Sequence, residues 1–140
     1  MIRTPHLAVD GIIRVYEGSA FQGIVLISRK NPPLGLAFPG GFVDIGESCE
    51  VALKREMLEE VSLHVKIIGL LGLYSEPSRD SRFHCASAVY VCDAFALPKA
   101  ADDAKEAFVI LPEIAVGKTL AFDHPQILHD YLKSEFHVLP

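Results

Sequence analysis

Gly41-Phe-Val-Asp-Ile-Gly-Glu47-Ser-Cys-Glu-Val-Ala-Leu-Lys-Arg55-Glu56-Met57-Leu58-Glu59-Glu60-Val61-Ser62-Leu63 is the stretch on which the reading of this 140-residue chain turns. It has a loop half and a helix half. Pro39, Gly40 and Gly41 interrupt regular structure and Gly46 interrupts it again, whereas Ser48 to Leu63 holds neither Pro nor Gly and is rich in helix formers. Ser48 is a preferred N-cap, and Glu50 falls in the first turn, near the positive end of the helix dipole. A step of roughly 100° per residue predicts a core arc of Val51, Leu53, Met57, Leu58 and Val61. The opposite arc carries Ala52, Glu56, Glu59 and Glu60.

Three carboxylates at i,i+3 and i,i+4 spacing repel one another, so this face costs stability unless positive charge covers it. Two readings follow from the residues alone. One is a solvated acidic helix face; the other is a seat for a hard dication, Mg²⁺ or Mn²⁺, which prefer carboxylate oxygens. Neither Cys nor His joins the cluster at a zinc-like spacing.

The same stretch resembles the Nudix box: Gly, five residues, Glu, seven residues, then Arg-Glu-aliphatic-x-Glu-Glu-x-Gly-aliphatic. Gly41, Glu47, Arg55, Glu56, Glu59 and Glu60 all fall in register, and six such matches arise by chance at roughly 10⁻⁷ per starting position. Two departures are visible, Ser62 where the pattern has Gly and Met57 at the aliphatic place; neither touches a carboxylate. The resemblance implies an α/β/α sandwich with a mixed β-sheet between helices. It implies Glu56, Glu59, Glu60 and the backbone carbonyl of Gly40 as metal ligands, with Mg²⁺ (or Mn²⁺) as the cofactor. Glu47 and Arg55 look like the pair that orients a ligand glutamate, although a plain surface ion pair is the alternative reading. The implied reaction is attack by metal-activated water on one phosphorus of a diphosphate that links a nucleoside to another group.

Composition bounds the rest. The chain is read as a single domain, 1–140, with 50% hydrophobic and 22% charged residues, as in a globular protein with a proper core. A net charge of −5 and no Lys/Arg run argue against long nucleic acid as a partner. Three cysteines without paired spacing fit a reducing compartment. The N-terminus lacks a signal-peptide pattern, and the apolar run 67–74 is too short for a bilayer, so a cytoplasmic location without membrane contact is expected.

Along the chain, strands are predicted over 6–15 and 23–28, with a turn between them and a loop from Arg29 to Pro33. A hairpin is predicted from 65–76 and 83–95 across the polar loop Pro77–Arg82. A loop then covers 97–103, a short strand 106–111, and a helix 123–135 whose apolar stripe is Ile127, Leu128, Tyr131 and Leu132. Asp123 reads as that helix's N-cap, followed by His124 and Pro125 at helix entry.

Outside the box, Phe38–Ser48, Tyr74–Arg82 with His84, Asp102–Ala107 and Ala121–His124 resemble the compact ADP-ribose pyrophosphatase branch of the family. The chain departs from it at Ser81, Phe83 and Ala101, where Pro, Gly and Gly are usual. The resemblance implies a small nucleotide substrate, most simply ADP-ribose cleaved to AMP and ribose 5-phosphate, and a homodimer. Arg79 and Arg82 on a loop are candidate substrate ligands for phosphate or ribose, and Arg29 at a strand end for phosphate. For the loop pair the competing reading is a tether to Asp80. Phe38, Phe42 and Tyr74 either stack on a base or sit in the core. Asp102, Asp103 and Glu106 are candidate general bases, with Glu76 behind them. A nucleoside triphosphate or diadenosine polyphosphate hydrolase is the alternative enzyme; a nucleotide-binding module without turnover is the alternative of another kind.

Overall fold

The computed structural model describes residues 1–101 and 104–139. Its central strand, β1 (His6–Glu17), is apolar over much of its length, broken by Asp10 and Arg14, because both of its faces are covered. Val9, Ile13 and Val15 point to one layer and Ile12 to the other, each no more than 2% exposed. β2 (Ala20–Arg29) returns antiparallel through a tight turn at Gly18, where φ is 61°. The remaining elements are β3 (Leu36–Ala37), β4 (Gly40–Phe42), α1 (Cys49–Val61), β5 (Lys66–Tyr74), β6 (Cys85–Ala94), β7 (Ala104–Ile110), α2 (Pro112–Ala115) and α3 (His124–Lys133), with one 3₁₀ turn at Pro77–Arg79. The seven-stranded sheet runs β3-β2-β1-β6-β5, with β4 added on β1 and β7 on β2. β1 and β6 are parallel from His6/Cys85 to Val15/Ala94, and the other strand pairings are antiparallel.

α1 covers one face of the sheet through Ala52, Leu53, Met57 and Val61. Gly11 lets Met57 in, since a Cβ there would stand 2.9 Å from its sulfur. α2 and α3 cover the other face through Ala115, Ile127, Leu128 and Tyr131, against Ile12, Leu26, Val89 and Val91. The α/β/α sandwich with a mixed sheet is therefore the fold observed.

The structure corrects several local expectations. Gly40 and Gly41 do not end regular structure; they form β4, held by pairing with Asp10 and Val9. Val51 and Leu58 lie 56% and 45% exposed, while Ala52 is fully buried. The sheet meets a narrower stripe of α1 than the apolar arc suggests, and a small side chain fits where the helix comes closest. β1 and β2 reach further into their turn than predicted, and α2 was not foreseen. α1 starts as expected, with Ser48 Oγ accepting the Val51 amide at 3.1 Å. It ends on Ser62 at φ 59° and ψ 33°, where Ser62 and Leu63 amides donate to the Leu58 and Met57 carbonyls. Serine thus takes the left-handed position that the family pattern gives to glycine.

Candidate active site

β4 has no side chains over its first two residues, and the carboxylates of neighbouring elements use that space. A Cβ on Gly41 would fall on the Glu56 carboxylate; one on Gly40 would fall on the Val9 carbonyl and the Asp10 carboxylate. Only glycine allows both approaches. The Gly40 amide also donates to Glu60 Oε1 at 3.2 Å, which ties α1 to the strand.

Arg55 organises the outer edge of this group. Its guanidinium donates to both oxygens of Glu47 at 2.7 and 2.8 Å, to Glu56 at 2.9 Å, to Glu59 at 3.1 Å and to the Phe42 carbonyl at 3.0 Å. Glu47 in turn accepts the Asp44 amide at 2.9 Å. Those donors hold the Glu47 carboxyl down to about 2, with the Arg55 hydrogen bonds the larger cause. The Glu47–Arg55 pair is thus part of a network that reaches Glu56, more than a surface pair.

Glu60 is in a different electrostatic position. It is 7% exposed, and among the described residues no cationic side chain forms an ion pair with it. Burial, against the opposing pull of the Gly40 amide, pushes its carboxyl up to about 8, with Glu56 and Asp10 adding like charge. Glu56 is also raised by burial, although Arg55 opposes the shift. Glu59 stands apart, about half exposed, at the rim.

Asp10, on β1, was not singled out from the sequence. It lies beneath Gly40 and accepts the Ser87 hydroxyl at 2.5 Å, and burial raises its carboxyl to about 6. The buried His124 faces it, with Nε2 3.8 Å from Oδ2. His124 Nδ1 accepts the Phe38 amide at 3.0 Å, so the ring is neutral and carries its proton on Nε2, towards Asp10; burial lowers its pKa to about 3. A lone Asp inside an apolar strand was the available signal. The pairing of β1 with β6 is what brings Ser87 to it.

Three arginines, Arg29, Arg79 and Arg82, line the same cavity as Asp10, Glu56 and Glu60, a space of about 380 Å³. Arg79 is almost buried, and one edge of its guanidinium, Nε and Nη2, donates to the two oxygens of Asp123 at 2.9 and 2.8 Å. Asp123 therefore does not cap α3 with its side chain, as expected from the sequence; it anchors Arg79. Arg82 pairs with Asp80 at 2.8 and 3.0 Å, as the tether reading had it, yet it still faces the cavity. Arg29 donates to the Pro33 carbonyl at 2.7 Å and lies 4.9 Å from the centre of the Phe122 ring. No carboxylate among the described residues forms an ion pair with Arg29.

The other nominated residues separate. Phe38 is buried in the α3-side core, Phe42 lines the cavity half-exposed, and Tyr74 lies in a neighbouring cleft with its hydroxyl on Asp130 at 2.6 Å. Glu106 is exposed on β7 opposite Ser28 and does not line the cavity. Asp102 and Asp103 lie outside the described residues. Glu76 lines the neighbouring cleft.

The carboxylates of Glu56 and Glu60 are the donor type a hard dication prefers, while among the described residues no three His, Cys, Asp or Glu side chains stand together as a metal site. Glu56 and Glu60 both line the cavity, Glu60 without an ion-pair partner among the described residues, beside a glycine backbone with no Cβ in the way. Of the residues that the sequence resemblance named as ligands, Glu56, Glu60 and Gly40 line this cavity and Glu59, at the rim, does not.

A family model described as NUDIX domain matches residues 4–131. An ADP-ribose pyrophosphatase of Methanocaldococcus jannaschii is 46% identical over 133 residues, covering 92% of this chain and 74% of that protein. A MutT/nudix family protein of Enterococcus faecalis superposes with a TM-score of 0.78 at 28% identity, covering 95% of this chain and 62% of that one. A bifunctional NMN adenylyltransferase/ADP ribose pyrophosphatase of Francisella tularensis, complexed with AMP and a manganese ion, superposes with a TM-score of 0.80 at 23% identity. This chain spans 42% of that protein's length, and the likeness there is one of fold.

Proposed function

The chain belongs to the Nudix family of hydrolases, and from that premise we propose that it hydrolyses ADP-ribose to AMP and ribose 5-phosphate with Mg²⁺. The observation that carries this reading is a single cavity lined both by the carboxylates of Glu56 and Glu60 and by Arg29, Arg79 and Arg82. Such a cavity takes a dication and a diphosphate together, each supplying the charge that the other needs. The 46% identity to an ADP-ribose pyrophosphatase supports the choice of diphosphate.

Glu56, Glu59, Glu60 and the Gly40 carbonyl would hold the metal. A bound dication neutralises phosphate oxygens and acidifies a water. Arg55 keeps the Glu56 carboxylate aimed inward, and Glu47 fixes Arg55. Arg29 is the cation that turns to phosphate, since Arg79 and Arg82 already have carboxylate partners. Water adds to one phosphorus, the bridging P–O bond breaks, and the leaving phosphate keeps the electron pair. The proton lost by water would pass to a carboxylate; Glu56 and Glu60 line the cavity and are the candidates for it, whereas Glu106 does not line it.

β5 forms the outer edge of the sheet and exposes Ile68, Leu70 and Leu73, a surface suited to a homodimer. Light scattering on the purified protein tests it. No helix of the described residues is long and apolar enough to cross a membrane. Three free cysteines, two of them buried, accord with a reducing cytoplasm.

The deciding experiment is release of phosphate monoesters from ADP-ribose, NADH, diadenosine polyphosphates and nucleoside triphosphates, each with Mg²⁺ and with Mn²⁺. ADP-ribose is expected to lead. Preference for a triphosphate would overturn the substrate, and tight ADP-ribose binding without product over hours would make the protein a binding module.

A further inference from the structure

Phe122 has a backbone conformation that its side chain does not favour. Its φ is 55°, in the left-handed region that costs an L residue roughly 1–2 kcal/mol. It sits in a turn closed by the His124 amide on the Ala121 carbonyl at 3.1 Å, with the Ala121 amide on the Leu36 carbonyl at 2.8 Å. The ring this turn presents is only part-buried. Arg29 and Arg82 stand 4.9 and 5.5 Å from its centre. A strained residue in a part-buried turn that holds an aromatic beside two cations is a mark of a binding site.

Phe122 and Arg79 are also shared walls. Both line the 380 Å³ cavity, and both line a second cleft of about 470 Å³ beside it. A ligand with its diphosphate over the arginines therefore continues from one space into the other past the Phe122 ring. The two spaces differ in chemistry. The cleft adds Ser75, Ser78, Glu76 and Gln126, which offer hydroxyl, carboxylate and amide groups; its arginine, Arg79, is already neutralised by Asp123. The Glu76 carboxylate there repels a further phosphate, and the group as a whole matches a hydroxyl-rich ring. The cavity has a different flank. Phe42 lines it but not the cleft, and stands 5.8 Å from the His6 ring and 5.9 Å from the Phe83 ring. That aromatic group offers a face to a flat base.

We propose that the substrate lies in one direction: base against Phe42, diphosphate between the arginines and the carboxylates, and terminal sugar past Phe122 in the cleft of Ser75, Ser78, Glu76 and Gln126. The inference rests on the diphosphate reading above and deepens it. Phe122 is then a specificity-determining residue, and the cleft selects a nucleoside diphosphate joined to a sugar over a triphosphate.

The test uses the two product halves as separate inhibitors. Inhibition constants for AMP and for ribose 5-phosphate are measured against ADP-ribose hydrolysis, with Mg²⁺, in the wild type and in Phe122→Gly, Ser78→Trp and Phe42→Ala. Circular dichroism confirms folding of each. Phe122→Gly and Ser78→Trp are expected to raise the ribose 5-phosphate constant at least 10-fold, and to raise the AMP constant less than a third as much. Phe42→Ala should reverse that order. If the cleft variants weaken AMP more, or both halves equally, the proposed direction is wrong while the function stands. A wild type that does not cleave ADP-ribose overturns the function and the direction with it. Should Phe122→Gly fail to fold, Ser78→Trp at the exposed far wall decides the question alone.

Discussion

Gly41→Ala isolates the approach of the Glu56 carboxylate to the strand. The added methyl meets all three atoms of that carboxylate at distances closer than real Cβ contacts allow. The backbone at Gly41 is held in the β1 ladder opposite Val9, whereas the carboxylate is the end of a flexible side chain, so the carboxylate is the part that moves. Its loss to the fold is the 2.9 Å hydrogen bond from Arg55, a charge-assisted bond of about 1.5–3 kcal/mol. Arg55 keeps Glu47, Glu59 and the Phe42 carbonyl. Ala in place of Gly also restricts the unfolded chain, for a gain of about 0.4–1 kcal/mol. The net cost is then about 1–2 kcal/mol, or a Tm lower by roughly 3–6 °C in a chain of this size. Function should suffer more, because a carboxylate displaced from its place weakens metal binding by about 10–100-fold. Calorimetric titration with Mn²⁺, scanning fluorimetry, and turnover of ADP-ribose against Mg²⁺ concentration read these together. A wild-type metal titration in a protein whose Tm had dropped by more than 15 °C would refute the reasoning, since it would mean that the strand had moved and the carboxylate had not.

Other outcomes follow from the same geometry. In EDTA, stability should fall between about pH 4 and 8. Folded Glu60 and Asp10 hold their protons up to about 8 and about 6, above their unfolded values, so that stability is present at low pH and lost as pH rises through the folded values. Excess Mg²⁺ should remove the slope, and Glu60→Gln should flatten it while abolishing turnover; a metal-free Tm that rises with pH would contradict this. Ser62→Gly relieves the φ of 59° at the end of α1 and should raise Tm by 1–3 °C, for about 0.5–1 kcal/mol, with activity unchanged; a lower Tm would show the conformation to be unstrained. Asp123→Ala leaves the Arg79 charge almost buried and unpaired and should cost about 3 kcal/mol by urea unfolding. Arg29→Ala, by contrast, should leave stability within about 0.5 kcal/mol and raise KM for ADP-ribose.

The acidic helix was legible because its chemistry is local: cap, carboxylates and Arg55 all lie within one stretch whose spacing specifies what faces what. The layered fold was legible too, through long apolar runs separated by turn residues. What the sequence hid depends on partners far along the chain. Asp10 reads as a stray charge until β6 brings Ser87 beside it, and Asp123 reads as a cap until the loop before β6 brings Arg79 to it. Gly40 and Gly41 look like breakers because propensity does not register that carboxylates occupy the space their missing side chains leave. Val51 and Leu58 mislead for the opposite reason, since an apolar arc does not say how much of itself the sheet will cover.

The parallel seam between β1 and β6 joins residues 79 apart in the chain, and it governs when this protein can acquire a working centre. Closing a loop of that length costs about 4 kcal/mol of chain entropy, against a much shorter excursion for the β1–β2 and β1–β4 pairings. During synthesis the glutamate helix can emerge, cap itself and dock on β1 while the floor beneath Gly40 is still missing. Ser87 and then His124 arrive last, so the cavity exists only once nearly the whole chain has been made. Nucleotide and dication, binding only that finished state, would stabilise completed molecules against unfolding and leave truncated ones unprotected. A nascent fragment ending before β6 should therefore be open to proteolysis in the presence of ligand as much as in its absence.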